Sequence, residues 1–252
     1  MRQLIPTMLG TCACLLTLSP LATAEKPRFE LELEVGSTWQ EKNKVQIPND
    51  NQGDRFELTD IAGSGPWASA RVNAHWNISG PHSMRVVLAP FSWEERGTFD
   101  EDVRFDGETF TANENLKAKY TFNSWRVGYR YQYYDANNWK LWVGGTAKVR
   151  DAEIELRQGA TRSSDDDLGF VPLLYLAGEY RFNDRWLFQF DFDGLAGGPG
   201  RAIDLGLKLG YEVNDRWRVT AGYRGLEGGA DTDDVYNFAW FNTALVSAQY
   251  RF

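Results

Sequence analysis

The feature that most constrains this chain is a period of two in its apolar residues, repeated along almost its whole length. Phe29, Leu31, Leu33 and Val35 alternate with Glu30, Glu32 and Glu34. Ala68, Ala70, Val72, Ala74, Trp76 and Ile78 alternate with Ser69, Arg71, Asn73, His75 and Asn77. The same alternation runs through Trp186–Asp193, Ile203–Val213 and Ala244–Phe252. Only an extended strand places alternate residues on opposite faces, so the chain is all-β.

Two further properties decide what surrounds these strands. The segments run to about 10 residues or more, beyond the ~5–6 typical of soluble strands and close to the ~9–11 of a membrane-crossing strand. Aromatic residues sit at their ends, in Tyr180-Arg181-Phe182-Asn183-Asp184-Arg185-Trp186 and again in Tyr211-Glu212-Val213-Asn214-Asp215-Arg216-Trp217. Each reads as an Asn-Asp turn flanked by rings suited to a membrane–water boundary. Beyond residue 24 the longest uncharged apolar-rich stretch is Phe170 to Gly178, too short for the ~20 residues of a spanning helix.

The first 24 residues read as a cleaved signal peptide: Arg2, an apolar run from Met8 to Leu21, then the small-x-small site Ala22-Thr23-Ala24. Residues 25–252 then form a single domain. Both cysteines, Cys12 and Cys14, fall in the removed segment, so the exported chain has no disulfide, thiol nucleophile or thiolate metal site. With Lys+Arg 27 against Asp+Glu 35 the net charge is −8, which disfavours nucleic acid as a partner.

The chain ends Ala248-Gln249-Tyr250-Arg251-Phe252. With the export signal and the alternating strands, this ending resembles that of the small outer-membrane β-barrels of Gram-negative bacteria, the broad group that includes the OmpA transmembrane domain and the OmpW and opacity proteins. The resemblance implies a closed antiparallel up-and-down transmembrane barrel in the bacterial outer membrane. It also implies insertion by the barrel-assembly machinery, with Tyr250 and Phe252 as the assembly signal.

Turns and parity place ten strands, with 8 to 12 compatible with the pattern, near 27–39, 67–78, 83–104, 109–134, 139–156, 169–182, 186–193, 202–213, 217–226 and 236–252. Both termini and the short turns at 79–81, 136–138, 183–185 and 214–216 then face the periplasm. Asp106-Gly107 is a hairpin signal that predicts a long ribbon from the third and fourth strands. Between Asn123 and Ser124 the apolar parity switches, and a β-bulge is the reading that keeps long loops outside.

With the apolar parity facing lipid, the lumen receives a charge network: Glu30, Glu32, Glu34, Arg71, Arg85, Arg126, Arg130, Lys148, Glu179, Asp191, Asp204, Lys208, Arg218 and Arg224, together with Lys140, Arg181, Asp193 and Glu212. A barrel of this size is just filled by side chains. The leading functional reading is therefore a non-enzymatic barrel with a salt-bridged lumen and acidic outer loops, serving a structural or surface-interaction role. A narrow porin-like channel is the alternative, and a lipid or peptide hydrolase a remote one, since the only histidines, His75 and His82, flank a periplasmic turn. The acidic outer segments are Glu94-Glu95, Asp100–Asp102, Asp165–Asp167 and Asp231–Asp234. No spacing among them matches a calcium loop, so the leading reading is a solvated face that keeps the loops soluble; the alternative is contact with lipids and lipopolysaccharide, with Ca²⁺ or Mg²⁺ bridging to phosphates. No cofactor motif or zinc spacing is present, and no catalytic residue is assigned.

Overall fold

The computed structural model describes residues 28–198 and 200–252, so the expected signal segment, residues 1–24, lies outside the described residues. In chain order the elements are β1 (Phe29–Gln46), β2 (Phe56–Glu57), α1 (Leu58–Ala62), β3 (Trp67–Ser79), β4 (His82–Ala89), β5 (Ser92–Gly97), β6 (Val103–Phe105) and β7 (Glu108–Phe110). They continue as β8 (Leu116–Ala136), β9 (Trp139–Gln158), β10 (Thr161–Arg181), β11 (Trp186–Gly197), β12 (Gly200–Glu212), β13 (Trp217–Asp231) and β14 (Tyr236–Arg251). Consecutive antiparallel ladders run from β8 to β14, and β14 closes on β1 from Glu30–Arg251 to Gln46–Tyr236. With β4 and β5 as two pieces of one wall strand, ten strands form a closed barrel. Closure satisfies the backbone where no water is available to do so.

Turn chemistry explains the registers. Asn137 and Asn138 both adopt positive φ, 53° and 67°, the two-residue hairpin geometry that matches strand twist. In the related turns 183–185 and 214–216, Asn183 Oδ1 and Asn214 Oδ1 each accept two backbone N–H bonds at 2.9 Å. Trp186 packs edge-on against Tyr211, and Trp217 lies tilted against Tyr250, giving the periplasmic rim its aromatic belt. At the terminus, Phe252 N–H donates to Phe29 O and its ring packs edge-on against Tyr250.

Along the middle of the barrel the outward residues are apolar and exposed, among them Leu33, Val35, Leu88, Val127, Leu174, Leu209, Val219 and Val246. Inward neighbours on the same strands are charged and buried. This inside-out polarity is stable only with hydrocarbon outside.

Above that belt the polarity inverts, and the expected bulge at Asn123–Ser124 is absent. The β8–β9 register runs unbroken from Lys117–Arg157 to Gln132–Trp142, and β8 pairs in one register with β4 and β5. Its shift occurs instead between Gln132 and Tyr134, near the periplasmic turn. Leu116, Ala118 and Tyr120 therefore face inward, on the same parity as Ser124, Arg126 and Arg130. The environment switches, not the backbone: above the membrane the outside is water, so the inside becomes the dry face.

The upper interior is an apolar core. Val45, Ile47, Phe56, Leu58, Ile61, Trp93, Phe99, Phe105, Phe110, Leu116, Tyr120, Ile154, Leu156 and Phe241 are buried together. The Asp106-Gly107 turn is a hairpin as expected, but β6–β7 forms its own two-stranded sheet. Instead of prolonging a ribbon, it folds over the mouth with Phe105 and Phe110 fully buried. The short α1 adds Leu58 and Ile61.

The third predicted strand, 83–104, is also interrupted. Pro90 has no N–H and separates β4 from β5, and the β3–β4 ladder stops at Val72–Leu88. Glu94 and Glu95 lie in β5 and Asp165–Asp167 in β10, so these acidic segments are strand rather than loop. The long β9 and β10 meet at a two-residue turn, with Gly159 at φ 58°.

Candidate functional site

The candidate site is the polar lumen between the apolar core and the periplasmic mouth. Strand parity sets its geometry: even residues of β1, β8, β9, β12 and β13 and odd residues of β3, β4, β10 and β11 point inward.

Arg126, 2% exposed, lies at the centre. Its Nη1 donates to Asp193 Oδ2 at 2.7 Å, Nη2 to Asp204 Oδ2 at 2.5 Å and Nε to Ser124 Oγ at 2.9 Å. Arg85 Nη2 donates to both oxygens of Asp193, at 2.5 and 2.7 Å, and Arg71 Nη1 to Asp204 Oδ2 at 2.9 Å. Arg224 spans three acids, reaching Glu34 at 2.9 Å, Asp204 at 2.6 Å and Asp191 at 3.0 Å. Lys208 Nζ donates to Glu32 at 2.6 Å. These contacts tie β1, β3, β4, β8, β11, β12 and β13 into one plug, with each carboxylate held by charge-assisted bonds. One nitrogen, Arg71 Nη2, is buried without a hydrogen-bond partner.

A second cluster sits nearer the mouth. Arg218 donates to Glu179 at 2.8 Å and to Glu212 at 2.6 Å, joined by Arg181 and Arg251 on the same carboxylates. Glu30 accepts from Gln249 and Asn77. Of the lumen cations named from the sequence, Arg130, Lys140 and Lys148 stand apart: among the described residues none of them has a carboxylate within 4.0 Å. Lys148 Nζ lies 4.8 Å from the Phe122 ring centroid, where polar lumen meets apolar core. Arg130 faces a cavity below the plug. Parity locates all of these residues, but the neutral partners Ser83, Ser124 and Thr146 carry no sequence signal that separates them from other small polar residues.

Below the plug the lumen opens into a cup of about 890 Å³ that faces the periplasmic turns, with Gly80, Asp184, Asn214 and Asp215 at its rim. The plug residues Arg85, Asp191 and Lys208 line the cup at its upper end. His75 lines it, and His82, at the turn, is 2.6 Å from Tyr129 Oη through Nδ1. Among the described residues, no histidine lies on the outer side of the membrane belt.

A closed ten-stranded barrel with a lipid-facing apolar belt and a charged interior defines the class: a membrane-spanning β-barrel of the bacterial outer-membrane type. The outer membrane protease OmpT of Escherichia coli has a similar fold, at 12% identity over 89% of this chain and 96% of that one, with a TM-score of 0.53. Ail, the attachment invasion locus protein of Yersinia pestis, aligns at 12% identity over 89% and 99% of the two chains, with a TM-score of 0.39. Neisserial surface protein A aligns at 12% identity over 89% and 97%, with a TM-score of 0.36. No family model matches the sequence, and no curated protein does.

Proposed function

We propose that this protein is a non-conducting, non-enzymatic outer-membrane barrel that carries a folded, water-exposed head above the outer leaflet for structural or surface interaction. The observation that carries the reading is the buried apolar core stacked on the salt-bridged plug. A conduit needs a continuous polar path, and here two unlike seals lie in series. The head is built to stand in water: its outward residues pair as Lys119–Glu153, Lys117–Glu94 and Arg104–Asp54. The likeness to a protease is one of fold. A hydrolytic site needs a general base within hydrogen-bond reach of its nucleophile, and both histidines lie at the opposite end from the head.

The reading includes contact with lipid and lipopolysaccharide around the belt, with Ca²⁺ or Mg²⁺ bridging head carboxylates to phosphates. It also includes insertion by the barrel-assembly machinery through Tyr250 and Phe252. The test is planar-bilayer conductance of the refolded protein, with folding verified by heat-modifiable mobility. Silence is expected. Steady conductance whose ion selectivity changes in the Arg126→Met variant would replace this function with transport.

A further inference from the structure

The cup contains an imbalance that the plug above it does not. Its lining carries nine arginines and lysines against seven Asp and Glu side chains, in a chain whose net charge is −8. Among the described residues four of these cations have no carboxylate within 4.0 Å: Arg185 and Arg216, which lie in the rim turns and reach the Tyr211 and Tyr250 hydroxyls, and two that share one wall. Arg130 on β8 is 7% exposed. Its Nε donates to Ser83 Oγ at 3.3 Å and its Cζ lies 5.3 Å from the Trp142 ring centroid. Lys140 lies on the same face of β9 as Trp142. Its register partner Glu179 is already held by Arg218 and Arg181. Among the described residues neither Arg130 nor Lys140 has a carboxylate within 4.0 Å, whereas Arg85, Arg218 and Lys208 in the same lining each have one.

A guanidinium withdrawn from water without a counter-charge costs several kcal/mol. Its fork of donors matches the two oxygens of a carboxylate or phosphate. The cavity is of a size that holds small organic ligands, about 300–1,000 Å³. We propose that the cup is a periplasm-facing binding site for a small oxyanion, a carboxylate or a phosphate. Arg130 is its anchor, Lys140 its second cation, and Trp142 a flat surface for the carbon part of the ligand. Because the plug closes the upper end, the anion enters and leaves through the periplasmic mouth. This goes beyond the head-presenting role and does not depend on it.

The test is isothermal titration calorimetry of the refolded protein at low ionic strength, with inorganic phosphate and with benzoate as separate probes to distinguish the two chemistries. Saturable binding of at least one probe is expected. It should weaken by roughly tenfold or more in Arg130→Gln, the loss of a charge-assisted bond, and several-fold in Lys140→Gln. Arg130→Lys keeps the charge, loses the fork and should fall between; if Arg130→Gln does not fold, this variant and Lys140→Gln decide. Absence of saturable binding of both probes to folded wild type, or equal affinity in every folded variant, overturns the assignment.

Discussion

Replacing Arg126 with Met tests whether the plug holds the barrel together and whether the core above it is an independent seal. Met is shorter and smaller than Arg, but it keeps an unbranched apolar stem in place while removing the charge. The wild-type side chain makes three buried hydrogen bonds, to Asp193, Asp204 and Ser124. Breaking a buried ion pair costs about 3–5 kcal/mol when the partner is left uncompensated. Here Asp193 keeps Arg85, and Asp204 keeps Arg71 and Arg224. Arg126 also no longer has to be desolvated. The expected loss is therefore about 2–3 kcal/mol, a roughly 30- to 150-fold change in the folding constant. Arg126→Glu places a third carboxylate between two others and should cost well over 5 kcal/mol, preventing stable insertion. Urea titration of vesicle-embedded protein, followed by heat-modifiable mobility, measures both, and conductance is read on the folded Met variant, which should stay silent. A Met variant as stable as wild type would refute the structural role of the plug, and a conducting one would refute the core as a seal.

Three other outcomes follow from the same geometry. Phe105→Ala, at a fully buried ring packed against Phe56, should cost the head about 3–5 kcal/mol. Limited proteolysis within residues 98–115 should then accelerate while the barrel keeps its heat-modifiable mobility. Arg104 donates side-chain and backbone bonds to Asp54, which hold that carboxyl below its ordinary value. The tie is thus in force above the ordinary carboxylate range and is lost as pH falls through the lowered value. Hydrogen exchange at the Arg104 amide, corrected for intrinsic rate, should rise at low pH in wild type and be raised at all pH values in Asp54→Asn. The pair is exposed, so the effect is local and small. Leu33→Arg, on the lipid face, should destabilise by about 2–4 kcal/mol, read as a lower urea midpoint in vesicles.

Much of the barrel was legible because a period of two survives in either solvent. The ten wall strands, the Asn-rich turns and the inward placement of residues such as Arg71, Asp204 and Arg224 follow from parity alone. What parity does not encode is which face is wet. At Asn123–Ser124 an exchange of apolar for polar residues looks like a backbone slip, because a slip and a change of surroundings write the same pattern. The upper ends of β1, β9 and β10 were read short for the same reason: beyond the membrane their outward residues are polar, as in Ser164 and Asp166, and resemble a loop. The plug's partners were not legible either, since strands distant in sequence meet only once the barrel closes, as Arg85 and Asp193 do.

Because β8 crosses from one solvent regime to the other without a break, its reading frame is locked at both ends. Inserting a single residue near Ser124 without a bulge to absorb it must turn one half inside out, sending either Arg126 toward acyl chains or Tyr120 into water. An inserted pair of residues preserves both faces and changes only height. In descendants of this chain, length variation in the wall strands should come in twos, with odd changes confined to turns and loops where no parity has to be kept.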